Sequence, residues 1–191
     1  MIGVNICEHQ LEIARQRASA AGLENLVRFE YADCSARLPF PDSSVDVIIN
    51  IESACHYSDR ARFISECARI LKDGGHIVAQ DWMAADGISE HQYREHLQPI
   101  CDSWVMRSLE SEASYRRMLR AAGLEITEFV DFGEEGLGNA RIMDLRCRQY
   151  AELAARVELP PARKMWFEQF RTLSSAWLTG WFRLQRYVAK K

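Results

Sequence analysis

Carboxylates, amides and an imidazole follow four short apolar runs of the chain. They occur at Asn5, at Asp33, in the segment 50–56 and at Asp81. If the apolar runs are neighbouring parallel strands, their carboxyl ends meet at one edge of a sheet, where open α/β sheets bind ligands. Four strand ends that all carry polar groups therefore predict one composite site at that edge.

The segments between these positions predict the elements that would hold them. Residues 45–51 form a nearly continuous β-branched run, which is typical of a strand buried on both faces of a parallel sheet. Helical spacing of apolar residues predicts a helix that ends at Gly22 and a second one that ends at Gly74 and Gly75. The alternation of strands and helices predicts an α/β fold with right-handed crossovers.

The second half of the chain predicts a different arrangement. Residues 84–110 are poor in β-branched residues and favour an irregular or helical lid. The remaining segments predict an amphipathic helix at 111–122, a strand at 124–131, helices at 139–157 and 161–178, and a last antiparallel strand at 181–189 on the far side of the sheet. We expect one domain over 1–191, with 84–110 and 139–178 as lid and pocket segments.

Composition excludes several classes of function. The net charge of −3 and the lack of a basic stripe argue against a nucleic-acid partner. No apolar run approaches the roughly 20 residues of a membrane span, and the N-terminus does not resemble a signal peptide. The six cysteines lack metal-ligand spacing. We therefore expect reduced thiols, no metal site and a cytoplasmic location.

Four segments, in this order and spacing, resemble the class I S-adenosylmethionine-dependent methyltransferases. They belong to the branch that methylates sterols, tocopherols and natural products. The segments are GVNICEHQL at 3–11, YADC with LPFPDSSVD at 31–46, IESACH at 51–56 and RILKDGG at 69–75. In the last one, Asp73 replaces the usual proline. The resemblance implies a Rossmann-like, three-layer α/β/α sheet and S-adenosyl-L-methionine as cofactor.

The resemblance also implies the cofactor contacts. The ribose diol would bind an amide or other acceptor near the end of the first apolar run, and the adenine amine would bind a carboxylate. The residues concerned are Asn5, Ile6 and Gln10 for the ribose, Asp33 and the Cys34 backbone for adenine, and Asn50 and Ile51 for the methionine part. The alternative for Asp33 is a turn stabilised by its own side chain.

Three residues are candidates for catalysis. His56 is the first choice as general base, because an imidazole titrates near neutral pH. Asp81 could orient the His56 ring or share its proton, or it could cap the next helix. Glu52 could stabilise a carbocation or form a structural pair with an arginine. O-methylation of a small, largely apolar acceptor is favoured through His56, and C-methylation of a terpenoid or sterol-like acceptor is the alternative through Glu52.

One segment that the family resemblance implies is absent from the sequence. The glycine-rich cofactor loop and the central strand before it would precede Ile2, and the GEEGLG segment at 133–138 does not follow a suitable strand. We therefore expect weak cofactor binding and low stability for this chain by itself. Two alternatives follow: an incomplete methyltransferase, or a non-catalytic remnant or partner subunit whose sheet is completed by another chain. A homo-oligomer is a further option.

Overall fold

The computed structural model describes residues 1–156, 158 and 160–191. The strands are β1 (Ile2–Asn5), β2 (Arg28–Tyr31), β3 (Val45–Ile51), β4 (Leu71–Ala84), β5 (Glu125–Asp131) and β6 (Phe182–Lys190). The helices are α1 (Glu8–Ala20), α2 (Arg60–Ile70), α3 (Glu90–Gln92), α4 (Gln98–Ser103), α5 (Glu112–Ala121), α6 (Gly133–Ala154) and α7 (Pro161–Thr179). A 3₁₀ turn covers Ala54–His56 and a π-helical turn covers Tyr93–Leu97.

The strands form two sheets. β1 and β2 pair in parallel, and a second sheet has the order β3-β4-β6-β5. β3 and β4 are parallel, as predicted, whereas β6 runs antiparallel to both β4 and β5. The expected α/β class is thus confirmed.

The predicted place of the last strand is wrong. β6 lies inside the sheet between β4 and β5, and β5 takes the edge. The reason is burial: Phe182, Tyr187 and Ala189 of β6 are buried, and this suits a strand covered on both sides. β5 carries Glu125 and Glu128, which an edge strand tolerates more easily.

Helices cover both faces of the larger sheet. On one face α2 and α5 pack against β4 and β6 through Ile64, Leu119 and Tyr187. Their first turns are capped by Asp59, which accepts a hydrogen bond from the Arg62 amide, and by Ser111, which accepts one from the Ser114 amide. On the other face, α4, α7 and the π-helical turn form a second apolar cluster with β6.

The two sheets approach each other without pairing. Val4 of β1 and Ile48 of β3 pack against the same small apolar cluster, yet no hydrogen bond joins their strands within the described residues. On the other face of β3, Val47, Ile49 and Ile51 are 51%, 68% and 64% exposed. Within the described residues, one edge of β1 and one edge of β3 are unpaired, and unpaired strand edges can accept a further strand.

Gly136 lies where α6 meets the Trp177 indole. A methyl group at Gly136 would approach the Trp177 ring to 2.4 Å, whereas at Gly138, also in α6, nothing lies within 4 Å. Because the indole is buried and cannot easily retreat, we expect Gly136→Ala to lower the free energy of unfolding by about 1–3 kcal/mol. Urea unfolding followed by circular dichroism measures the change.

Gly138→Ala is the matched control for Gly136→Ala. It makes the same chemical change in the same helix without a clash, so we expect it to raise the free energy of unfolding by up to ~1 kcal/mol. Equal effects of the two substitutions would contradict the proposed contact between α6 and Trp177.

Candidate active site

The end of β1 presents a pair of side-chain amides. The Asn5 Oδ1 accepts a hydrogen bond from the Cys7 backbone amide at 2.9 Å, and the Asn5 Nδ2 donates to the Gln10 Oε1 at 2.7 Å. The pair is tied to the first turn of α1 and reaches the surface through Gln10. Ile6 lies beside it and is 58% exposed. A polar rim next to an exposed apolar side chain suits a ribose and a flat ring system.

The end of β2 presents a carboxylate. The Asp33 Oδ1 accepts a hydrogen bond from the Ser35 backbone amide at 2.8 Å, so Asp33 does form the turn that was its alternative role. Its side chain is nevertheless exposed, and within the described residues its second oxygen accepts no hydrogen bond. Burial raises the pKa of the adjacent Cys34 thiol. Asp33 thus keeps one oxygen for a ligand.

Tyr57 and Ser58 together connect the end of β3 to the segment that follows β2, a role that no sequence motif indicated. The Tyr57 hydroxyl accepts a hydrogen bond from the Asn50 Nδ2 at 3.0 Å and lies 2.8 Å from the Ser53 Oγ. Burial raises the pKa of Tyr57, which keeps the hydroxyl neutral. One residue further, the Ser58 amide donates to the Ser35 Oγ at 3.0 Å. These bonds fix the loops that carry Asp33 and Asn50 relative to each other.

Arg60 stabilises the 3₁₀ turn through hydrogen bonds to its backbone. The guanidinium is buried and donates to the carbonyl oxygens of Ala54 and Cys55 at 2.9 and 2.6 Å. It also donates to the backbone and side chain of Ser108. A single side chain therefore connects the turn after β3 to the segment that follows α4. Sequence reasoning did not identify Arg60, because most of its hydrogen-bond partners are backbone carbonyls, which no motif marks.

Asp81 and His56 are not brought together. Asp81 is fully buried, and its carboxylate accepts from the Tyr115 hydroxyl at 2.7 Å and from the Trp82 amide at 3.0 Å. His56 is exposed on the 3₁₀ turn. Within the described residues, the expected hydrogen bond between these two side chains is not observed. The reason is that Asp81 shares the face of β4 that packs on α5, beneath the sheet edge.

Glu52 ends β3 in an unusual conformation. Its φ angle is 48°, in the left-handed region that a non-glycine residue rarely adopts. The carboxylate accepts hydrogen bonds from the Gln80 Nε2 at 2.9 Å and the Trp82 Nε1 at 3.0 Å. Such strain is tolerated where surrounding contacts hold it, and it is frequent at functional sites. The two bonds come from β4, so the alternative pairing with an arginine is not observed.

Glu52 borders a large cavity between the sheet and the helices α6 and α7. The cavity measures about 1130 Å³. Aromatic side chains dominate its wall, and neighbouring rings meet edge to face, with centroids 5.1 Å apart for Trp82 and Trp104. The lining aromatics are Trp82, Trp104, Tyr150, Trp166, Phe167, Phe170, Trp177 and Phe182. Of the three residues proposed for catalysis, Glu52 alone is in this lining.

The amino-acid sequence of the chain is similar to those of known proteins. Residues 1–79 match the family described as "Methyltransferase domain". The chain is 35% identical over 133 residues to Methyltransferase GfsG of Streptomyces halstedii, covering 70% of this chain and 47% of that protein. It is 36% identical over 124 residues to the 27-O-demethylrifamycin SV methyltransferase of Amycolatopsis mediterranei, covering 64% and 44%. The chain thus spans about half the length of these relatives.

Solved structures share the fold. A putative sarcosine dimethylglycine methyltransferase from Galdieria sulphuraria superposes with a TM-score of 0.83 at 20% identity, covering 100% of this chain and 69% of that one. The geranyl diphosphate C-methyltransferase of Streptomyces coelicolor gives a TM-score of 0.75 at 21% identity, covering 99% and 62%.

Residues 1–79 therefore resemble the methyltransferase domain family, and the fold of the chain is shared by solved methyltransferases. Within the described residues, no helix is long and apolar enough to cross a membrane. No cluster of metal-ligating side chains occurs there either.

The Asp81 carboxylate predicts a pH effect on stability. Burial raises its pKa in the folded protein, despite the Tyr115 hydrogen bond, whereas in the unfolded chain the carboxyl titrates near ~3.9. Between these two pKa values the unfolded state binds fewer protons, so this carboxyl destabilises the fold increasingly as the pH rises. Replacing Asp81 by Asn, which still accepts the Tyr115 bond, removes the effect.

We therefore expect the stability of Asp81→Asn relative to the original chain to increase from pH 4 to pH 7. Urea unfolding at several pH values measures it. Asp59→Asn is the control, because Asp59 is an exposed N-cap and asparagine also caps helices. A stability difference for Asp81→Asn that does not vary with pH would contradict the prediction.

Proposed function

We propose that this chain forms the acceptor side and most of the adenosine side of an S-adenosylmethionine-dependent methyltransferase for a small, largely apolar molecule. The observation that carries the proposal is Glu52. Its carboxylate lies at the carboxyl end of β3 and borders the aromatic cavity, so it belongs to both halves of the site. Methyl transfer needs donor and acceptor held in line at such a junction.

The residues at the strand ends fit the cofactor. The Asn5 and Gln10 amides offer donors and acceptors for the ribose, and the unengaged Asp33 oxygen can accept from the adenine amine. Cys34 supplies a backbone amide next to it. When bound, the cofactor supplies an electrophilic methyl group on a sulfonium. Asn50 and Ile51, held by Tyr57, would lie against its methionine part.

The type of methyl transfer depends on whether a protein group takes a proton from the acceptor or stabilises a positive charge on it. For O-methylation a base must take the hydroxyl proton. Glu52 borders the cavity and is our candidate for that base, while the exposed His56 imidazole is the alternative. O-methylation remains favoured, and relatives of the chain include an enzyme named as an O-demethylrifamycin methyltransferase.

C-methylation is a second candidate, because one observation favours it. The Glu52 carboxylate is bonded to the Trp82 indole, and Trp104 lies edge to face with the same ring. A carboxylate beside aromatic faces stabilises a cation, such as the carbocation that methylation of an alkene produces. Mass spectrometry of the product distinguishes a methyl ether from a new carbon–carbon bond.

Glu52→Gln tests the role of the carboxylate. Because glutamine keeps an oxygen for the Trp82 indole but cannot accept a proton, we expect methyl transfer to fall by about 10²-fold or more. His56→Gln is the matched comparison, and we expect it to change the rate less. The assay measures transfer of labelled methyl groups to candidate acceptors, with the chain extended by the residues encoded before Met1. A rate unaffected by Glu52→Gln would exclude this residue as the base.

Full activity is proposed to require a strand between β1 and β3. The strand edges left unpaired in the described residues and the exposed Val47, Ile49 and Ile51 support it, since a strand and a covering helix would bury both. That element would carry the glycine-rich loop expected from the family resemblance. It either precedes Met1 in a longer protein or comes from a partner chain, and in the latter case the chain is a subunit.

All six cysteines are free, which supports the expected cytoplasmic location.

Calorimetric titration with S-adenosylhomocysteine tests this requirement. We expect the 191-residue chain to bind more weakly than micromolar, because the strand end that would hold the methionine part is lacking. Adding the preceding residues, if they encode a G-x-G-x-G segment, is expected to bring the affinity to the micromolar range. Micromolar binding to the 191-residue chain would contradict the proposal.

A further inference from the structure

The charges of the aromatic cavity are distributed unevenly. Glu52 is the one acidic residue in its lining and comes from the sheet, whereas two arginines, Arg146 of α6 and Arg163 of α7, come from the helices. Two other arginines of these helices are paired: Arg148 with Asp144, and Arg171 with Glu168. Within the described residues, Arg146 and Arg163 form no ion pair with a carboxylate within 4.0 Å.

The position of Arg163 strengthens the positive potential. It lies in the first turn of the 19-residue helix α7, which begins at Pro161, so the partial positive charge of the helix terminus adds to that of the guanidinium. Guanidinium groups bind carboxylates and phosphates through paired hydrogen bonds. The helix side of the cavity is therefore suited to an anion, while the aromatic wall between it and Glu52 is suited to an apolar body.

We propose that the acceptor is an amphipathic acid. Its apolar body would lie against Trp104, Trp166 and Phe170, and its carboxylate or phosphate would bind Arg146 and Arg163. The group to be methylated would then be at the opposite end of the molecule, near Glu52. This proposal rests on the proposed function in treating the cavity as the acceptor site, and it adds the class of acceptor.

Binding to the cavity can be measured without the cofactor. Four of the five tryptophans line it, namely Trp82, Trp104, Trp166 and Trp177. Quenching of their fluorescence in the 191-residue chain therefore reports occupancy. The probes are dodecanoate, dodecyl phosphate and the uncharged methyl dodecanoate, each below its critical micelle concentration. We expect both anions to bind at least about 5-fold more tightly than the ester, with the difference shrinking as salt is added.

The variants assign that preference to the two arginines. Arg146→Gln with Arg163→Gln is expected to reduce the affinity for the anions to that of the ester and to leave ester binding unchanged. Arg148→Gln with Lys164→Gln is the matched control, because it removes two positive charges from the same helices outside the lining of this cavity. We expect the control to keep the preference for anions.

Two results would overturn the proposal: equal affinity for dodecanoate, dodecyl phosphate and the ester, or equal loss in the control variant. A preference for dodecyl phosphate alone assigns the site to phosphates, and a preference for dodecanoate alone assigns it to carboxylates. The measurement does not depend on methyl transfer. If the extended chain fails to methylate any acceptor while the anion preference persists, the proposed function is wrong and the anion site stands.

Discussion

The antiparallel pairing of β4 with β6 is the interaction on which the remaining structure depends. It runs over nine residue pairs, from His76 with Lys190 to Ala84 with Phe182, and it joins the first half of the chain to its last strand. Because successive residues of a strand point to opposite faces, β4 turns Asp81 into the core beneath α5 and turns Trp82 toward the aromatic cavity. The same pairing anchors the end of α7, since β6 begins directly after that helix. A cavity wall and a buried core thus share one pair of strands.

The sheet is less complete on the β3 side of β4. β3 pairs with β4 but, in the part of the chain that the structure describes, has no partner on its opposite edge, although β1 packs on a shared apolar cluster. The segments that follow β2 and β3 are nevertheless joined by the hydrogen bond from the Ser58 amide to the Ser35 Oγ. A further strand between β1 and β3 is proposed to complete the site. The proposed need for a further strand and the proposed weak cofactor binding are therefore two consequences of one structural feature.

The structure separates Glu52, His56 and Asp81, the three residues that the sequence offered as catalytic candidates. The sequence predicted His56 as the base with Asp81 as its partner, and Glu52 as an alternative that could stabilise a carbocation. In the fold, Glu52 has a positive φ angle and borders the cavity, whereas His56 is exposed on the following 3₁₀ turn. Asp81 is buried and accepts a hydrogen bond from Tyr115. A carboxylate held by an indole and facing apolar rings fits the proposed role in proton or charge balance, whichever atom of the acceptor is methylated. Arg146 and Arg163 are proposed to orient that acceptor from its other end.

The sequence by itself determined the α/β class, the parallel pairing of β3 with β4, the capped helices α2 and α5, and the polar strand ends at Asn5 and Asp33. These depend on local patterns: β-branched runs, helical spacing, capping residues and turn-forming side chains. The tertiary structure alone decided that β6 lies inside the sheet, that Asp81 meets Tyr115, that Ser58 and Arg60 join distant loops, and that two arginines border the aromatic cavity. The physical reason is that these features depend on contacts between residues far apart in the sequence, such as 34 positions for Asp81 with Tyr115 and 48 for Arg60 with Ser108. Such contacts follow from which faces the assembled sheet buries rather than from any local pattern.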